Sequence, residues 1–183
     1  MIVIELEGKE WNLPSGWDEV SVELFEKVVN HSIIVDDYIS QVQHTIDLMS
    51  IMTGAPKEEL NKMTRKSFEE LSNRLDWLKD DLKPSGKKTF MIGDEEYIAI
   101  DDFDNLSMGD SASMELIIKE SNETNILGNL LPLLVRKSKK IYKDGGKTKI
   151  VPEDFEASEY EKTKAFLKSN MMVSDVMHLK SFF

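Results

Sequence analysis

The stretch from Phe90 to Glu115, FMIGDEEYIAIDDFDNLSMGDSASME, decides how the chain is read, because residues 5–29, ELEGKEWNLPSGWDEVSVELFEKVV, say nearly the same thing. Gly8 answers to Gly93, Trp11 to Tyr97, Trp17 to Phe103, Asp18 to Asp104, Val20 to Leu106 and Ser21 to Ser107. The offset is 85 residues ahead of Tyr97 and 86 from there on, which places one inserted residue in the second copy. Each copy reads as a short strand, a glycine turn, a second strand, an aromatic, and a helix opened by serine. The shared positions shape the backbone: glycine tolerates the positive φ of a tight hairpin turn, and serine accepts orphan N–H groups at a helix start. A repeat of this kind is scaffold, and it points to assembly rather than catalysis.

Outward from the repeat, Ile2, Ile4 and Leu6 alternate with Val3 and Glu5, the period of a half-buried strand. Gly8-Lys9 is the expected turn, Trp11 and Leu13 the return strand, and Pro14 and Gly16 its end. From about Asp36 to Met52, Ile39, Val42, Ile46 and Met49 line one helical face, and Thr53-Gly54 stops it. Pro56 with Glu58 and Glu59 suits a new helix start, and Ser67-Phe-Glu-Glu70 reads as a capping box ahead of Leu71, Leu75 and Leu78. Pro84-Ser-Gly86 is the clearest break.

Beyond the second hairpin, Ser107-Met-Gly-Asp110 opens another helix, and Ile126–Val135 is an apolar helix bent or interrupted at Pro132. Lys139–Val151 reads as a hairpin around Asp144-Gly145-Gly146, and Pro152-Glu-Asp-Phe155 starts a last helical stretch. The chain closes on an apolar tip, Val173, Val176, Met177, Leu179, Phe182 and Phe183, packed on its own domain or held by a partner. The expected fold is α+β and mostly helical, with two related β-hairpin–helix units around a helical middle and a third short hairpin near the C-terminus. Its expected parts are an N-terminal hairpin–helix lobe, 1–83, and a C-terminal one, 87–183, either separate or sharing one core.

A formal charge of −11 over 183 residues favours solubility and disfavours general nucleic-acid binding. The charge is uneven: residues 136–149 carry a local +6, leaving −17 on the remainder. That basic run is either a solvated hairpin or a docking patch for an acidic partner or a nucleic-acid backbone. The chain has no cysteine, which removes disulfides, thiol nucleophiles and thiolate metal sites. No apolar run approaches the ~20 residues that span a bilayer, and the opening residues lack a secretory pattern. These features suggest a soluble intracellular chain, or part of a particle built inside a cell, with no membrane contact.

Chemistry is sought and mostly not found. Gly146-Lys147-Thr148 imitates the end of a phosphate-binding loop, but Ile141 stands where its first glycine belongs. Asp101, Asp102, Asp104 and Asp110 resemble a calcium loop counted from Asp102, yet Ser107 and Ser113 occupy the positions that need glycine and glutamate. His31, His44 and His178 lack the i, i+4 spacing of paired metal ligands. The reading is therefore no enzyme: no catalytic residue, no cofactor and no metal is assigned. The residues singled out are interface candidates instead: Trp17 and Trp77 for contact area, Arg136, Lys139 and Lys140 for charge, and Phe182 and Phe183 for the apolar tip.

Several strings, taken together, resemble small proteins of tailed phages. They are Leu13-Pro14 with Trp17, Glu19, Val20 and Ser21, the segment Leu48–Leu60, the Phe68–Leu78 helix, Leu130–Arg136, and Phe182-Phe183. The chain is similar to tail assembly chaperone-like and minor virion proteins. The resemblance implies a non-enzymatic role through protein contacts, either coating a tape-measure-like protein or filling a neck, ring or capsid-interior niche. Implied partners are other phage structural proteins and the chain itself as an oligomer, in the host cytoplasm during assembly or within the virion. The alternative is an acidic intracellular adaptor or inhibitor, a nucleic-acid mimic that blocks a basic protein and would need its acids gathered on one exposed face.

Overall fold

The computed structural model of the chain describes residues 1–6, 8–31, 37–100, 106–142 and 148–182. Strands β1 (Ile2–Leu6) and β2 (Lys9–Leu13) form a two-stranded ribbon. Helices α1 (Val22–His31), α2 (Tyr38–Thr53), α3 (Lys57–Leu60) and α4 (Arg65–Asn73) follow. Strands β3 (Thr89–Ile92) and β4 (Glu95–Ala99), helices α5 (Met108–Glu120) and α6 (Ile126–Leu134), and strands β5 (Val135–Tyr142) and β6 (Thr148–Pro152) come next. Helices α7 (Tyr160–Asn170) and α8 (Val173–Val176) close the order, with single 3-10 turns at Trp17–Glu19, Asp76–Lys79 and Ala157–Glu159 and a longer one at Met177–Phe182. The fold is α+β and mostly helical, with a two-stranded hairpin and a four-stranded antiparallel sheet of order β3-β4-β5-β6.

The two hairpins obey one frame more simply than the glycines suggest. Leu6 pairs with Lys9, so Gly8 stands just before the return strand and Lys9 belongs to that strand, not to the turn. Ile92 pairs with Glu95, so Gly93 directly follows the outgoing strand. Trp11 and Tyr97 are each third in their return strands, so the constant offset of 86 relates the strands and no insertion is needed. Gly8 (φ +75°) and Gly93 (φ +60°) take the same left-handed conformation at different loop positions. Phe103, the counterpart of Trp17, lies outside the described residues, as do Asp101, Asp102 and Asp104 and the expected turn at Asp144-Gly145-Gly146.

Serine opens both following helices. The Leu24 N–H donates to Ser21 Oγ at 3.2 Å, and the Asp110 N–H donates to Ser107 Oγ at 3.0 Å. The Asp110 carboxylate accepts from the Ser107 N–H in return, completing a capping box. In α4 the cap lies three residues earlier than expected. Thr64 is the N-cap, its hydroxyl accepting from the Ser67 N–H at 3.2 Å, and Ser67 sits inside the helix. The earlier start adds a turn that sets Arg65 against Glu69 at 2.7 Å.

Two other boundaries move. Pro132 lies inside α6 without ending it; the helix stops at Leu134 and Val135 is already strand. The last helical stretch opens with the turn at Ala157–Glu159 and α7 at Tyr160 rather than near Pro152, because the Glu153 N–H donates to Lys137 C=O at 2.8 Å and prolongs the β5–β6 pairing. The core is one cluster that draws on both halves of the chain. Leu13, Val20, Val22, Met49 and Leu60 meet Leu130, Leu131, Leu133, Leu134, Leu167 and Leu179 there. Each such leucine contributes about 1.5–3 kcal/mol of hydrophobic stabilisation. Val173, Val176 and Leu179 of the apolar tip are fully buried in that cluster. The side chain of Phe182, and Phe183 altogether, lie outside the described part.

Candidate functional site

Trp17 and Trp77 come together. Their rings meet edge to face, 5.1 Å between centroids at 88°, and Phe25 adds a second edge contact to Trp17 at 5.9 Å. The Trp17 indole N–H donates to the Asp80 carbonyl at 3.0 Å, which ties the Trp17–Glu19 turn to the end of the Asp76–Lys79 turn. Pairs of this kind contribute about 0.5–1.5 kcal/mol beyond area burial. The two tryptophans stand in a hollow of 580 Å³ whose rim carries Asp18, Asp80 and Asp81 against one lysine, Lys83.

A second feature is the β5–β6 ribbon. Strand β4 pairs with β5 only from Val135 to Lys137, and β6 takes over from Ser138 to Tyr142. The ribbon's base is anchored by Lys139 to Asp154 at 2.8 Å and by Ser138 Oγ donating to Glu96 at 2.9 Å. Extended by its register, β4 ends opposite Lys139, so 140–142 and 148–150 run past it. There Lys140 faces Ile150 and Ile141 faces Lys149, so each face of the ribbon shows one isoleucine and one lysine. Ile141 is 43% exposed and Ile150 47%.

Arg136 takes a different place from its neighbours. It is buried, its Nη2 lies 3.1 Å from Asp110 Oδ2 and its Nε donates to Leu133 C=O at 3.0 Å. Its guanidinium also stands 5.8 Å from the Phe155 ring. It braces α5, α6 and β5 rather than facing solvent. Beside it lies a cleft of 710 Å³ between the sheet and α7, where Tyr97 neighbours Phe166 at 6.1 Å and Phe155 neighbours Tyr160 at 6.4 Å. The Tyr160 hydroxyl donates to Asn129 C=O at 2.9 Å.

The cleft's titratable side chains that depart from their ordinary values all move away from neutral pH. Burial raises Tyr97 and Tyr160, the Glu95 hydrogen bond raises Lys137, and the Lys139 hydrogen bond lowers Asp154.

Of the histidines, His31 and His44 stack at 5.0 Å and 10°, with Asp47 3.6 Å from His31 and held by Lys57 at 2.8 Å and Gln43 at 2.9 Å. Among the described residues no three His, Cys, Asp or Glu side chains are grouped to hold a metal ion. No described helix is long and apolar enough to cross a membrane.

Sequence reasoning singled out both tryptophans, Lys139 and Lys140, but not the carboxylates around the tryptophans or the exposed isoleucines of the ribbon. The Lys139–Val151 hairpin pattern held the signal for Ile141 and Ile150, since alternation in a lysine-rich hairpin places an apolar residue on each open face. Family models, curated proteins and solved structures yield no match to the chain.

Proposed function

We propose that the protein is a non-enzymatic assembly factor or minor virion component of a tailed phage, acting through protein–protein contacts. The observation that carries the contact reading is the β5–β6 ribbon. Its outer part offers exposed isoleucines and lysines on both faces, and unpaired β-ribbons present open backbone edges that another chain can extend. The phage setting rests on the sequence resemblance, and the partners it implies are phage structural proteins or a tape-measure-like protein. Assembly would take place in the host cytoplasm, with or without retention in the virion.

The mimic reading is weaker because many acids are engaged locally and scattered. Glu23 pairs with Lys27, Glu69 with Arg65, Glu115 with Lys119 and Glu161 with Lys164, on four different helices. A mimic needs those charges free on one face.

The test is recovery of the tagged chain from the cells that make it, followed by native mass spectrometry. A stoichiometric complex with a structural or tape-measure-like protein, lost in an Ile141→Asp/Ile150→Asp variant that keeps its helical circular dichroism, supports the proposal. A chain that remains alone throughout particle production overturns it.

A further inference from the structure

Two surface features of this chain fit one another. Among the described residues, the hollow at Trp17 and Trp77 is rimmed by three aspartates and one lysine. Asp18, Asp80 and Asp81 have no cation holding their carboxylates among the described residues, unlike the locally paired acids on α1, α4, α5 and α7. Carboxylates beside indole faces form a receptor for an ammonium or guanidinium group, since the ring quadrupole and the negative charge attract the same cation. The ribbon carries two lysines, Lys140 and Lys149, with no ion-pair partner among the described residues, each beside an exposed isoleucine. No described ribbon residue lines the hollow of its own chain.

We infer that the ribbon of one copy docks on the Trp17–Trp77 hollow of a second copy, placing Lys140 or Lys149 among Asp18, Asp80 and Asp81 with its stem and the neighbouring isoleucine against the indoles. This rests on the protein-contact reading above and names its partner as the chain itself. Charge selects that geometry. Arg136, Lys137 and Lys139 are held within the chain by Asp110, Glu95 and Asp154, so Lys140 and Lys149 are the described cations the ribbon offers; two copies of net charge −11 repel in most orientations and attract where those lysines face an unpaired acidic patch. The same acidic body disfavours a polyanion as the ribbon's partner. Ribbon and hollow are different patches, so two copies either exchange ribbons about a two-fold axis and close as a dimer or join head to tail into rings or open chains.

The experiment is sedimentation velocity over a concentration series at low salt, using the full chain. Wild type is expected to self-associate, to a dimer or beyond, and to fall back toward monomer as salt screens the contact. Lys140→Ala/Lys149→Ala removes those two cations from the ribbon, and Asp80→Asn/Asp81→Asn removes charge from the hollow. Each variant alone is expected to associate at least about tenfold more weakly than wild type. An equimolar mixture of the two retains one good ribbon and one good hollow, and is expected to stop at a heterodimer.

All four positions are solvent-exposed, and unchanged near-ultraviolet circular dichroism of the monomers confirms their folding. A monomeric wild type at the highest concentration, variants that associate like wild type, or a mixture that forms nothing each overturn the inference. A monomeric wild type that still binds another structural protein leaves the proposed function standing. One that binds neither itself nor such a protein removes both.

Discussion

The Glu26 carboxylate occupies the space that a side chain on Gly128 would need: an ideal Cβ on Gly128 would lie 2.1 Å from Glu26 Oε1. Glu26 is buried on α1, its other oxygen pairs with Lys168 of α7, and Gly128 lies on α6, so three helices close on one carboxylate. Gly128→Ala in a helix interior ordinarily stabilises by about 0.5–1 kcal/mol. Here overpacking outweighs propensity, and the expected outcome is a loss of about 1–3 kcal/mol in urea unfolding. Adding Glu26→Ala removes the clash, so the double-mutant cycle should show favourable coupling between the two changes. Additive effects would mean the helices part without cost.

The caps separate cleanly. Thr64→Ala should cost about 1 kcal/mol, whereas Ser67→Ala, inside the helix, should be neutral or stabilise by a few tenths. Equal losses measured by thermal unfolding would return the cap to Ser67.

Arg136 and Asp110 form a nearly enclosed pair, with side chains 9% and 12% exposed. Arg136→Met leaves Asp110 without its cation and should destabilise by about 3 kcal/mol. Asp110→Asn added to that variant should recover part of the loss by neutralising the stranded charge. Denaturant midpoints decide it, and a neutral Arg136→Met would show that the pair adds nothing to the fold.

His44 sets a pH dependence. Burial lowers its pKa below 6.5, and the adjacent His31 ring lowers it further. The unfolded chain therefore binds its proton more readily than the folded one. The stabilisation is fully present above about 6.5 and is lost as pH falls toward the folded value. Unfolding free energies at several pH values should fall through this window for wild type and fall less for His44→Phe. An identical decline would place the titration elsewhere.

Much of the framework was legible because local rules carry it. Period-two alternation marked β1, and the apolar stripe through Ile46 and Met49 marked α2. Glycine marked both turns, and serine both caps. The errors lie where a tertiary contact competes with a local signal. Ser67 and Thr64 are chemically similar caps, and only the helix register chooses between them. Pro152-Glu153 looks like a helix start until Glu153 bonds to Lys137.

The site was legible only in pieces. No spacing rule connects Trp17 with Trp77, whose edge-to-face meeting depends on how the Trp17–Glu19 and Asp76–Lys79 turns pack. Arg136 looked like part of a surface basic run because charge composition does not reveal Asp110, supplied by α5.

The central claim is that the outer β5–β6 ribbon is a protein-contact surface. Its most direct test is photo-crosslinking in the producing cells from a benzophenone side chain at position 150, beside the same label at the exposed position 66 of α4. Position 150 is expected to give a discrete protein adduct and position 66 none. Uncrosslinked chain from both positions, or the same diffuse products from each, would contradict it.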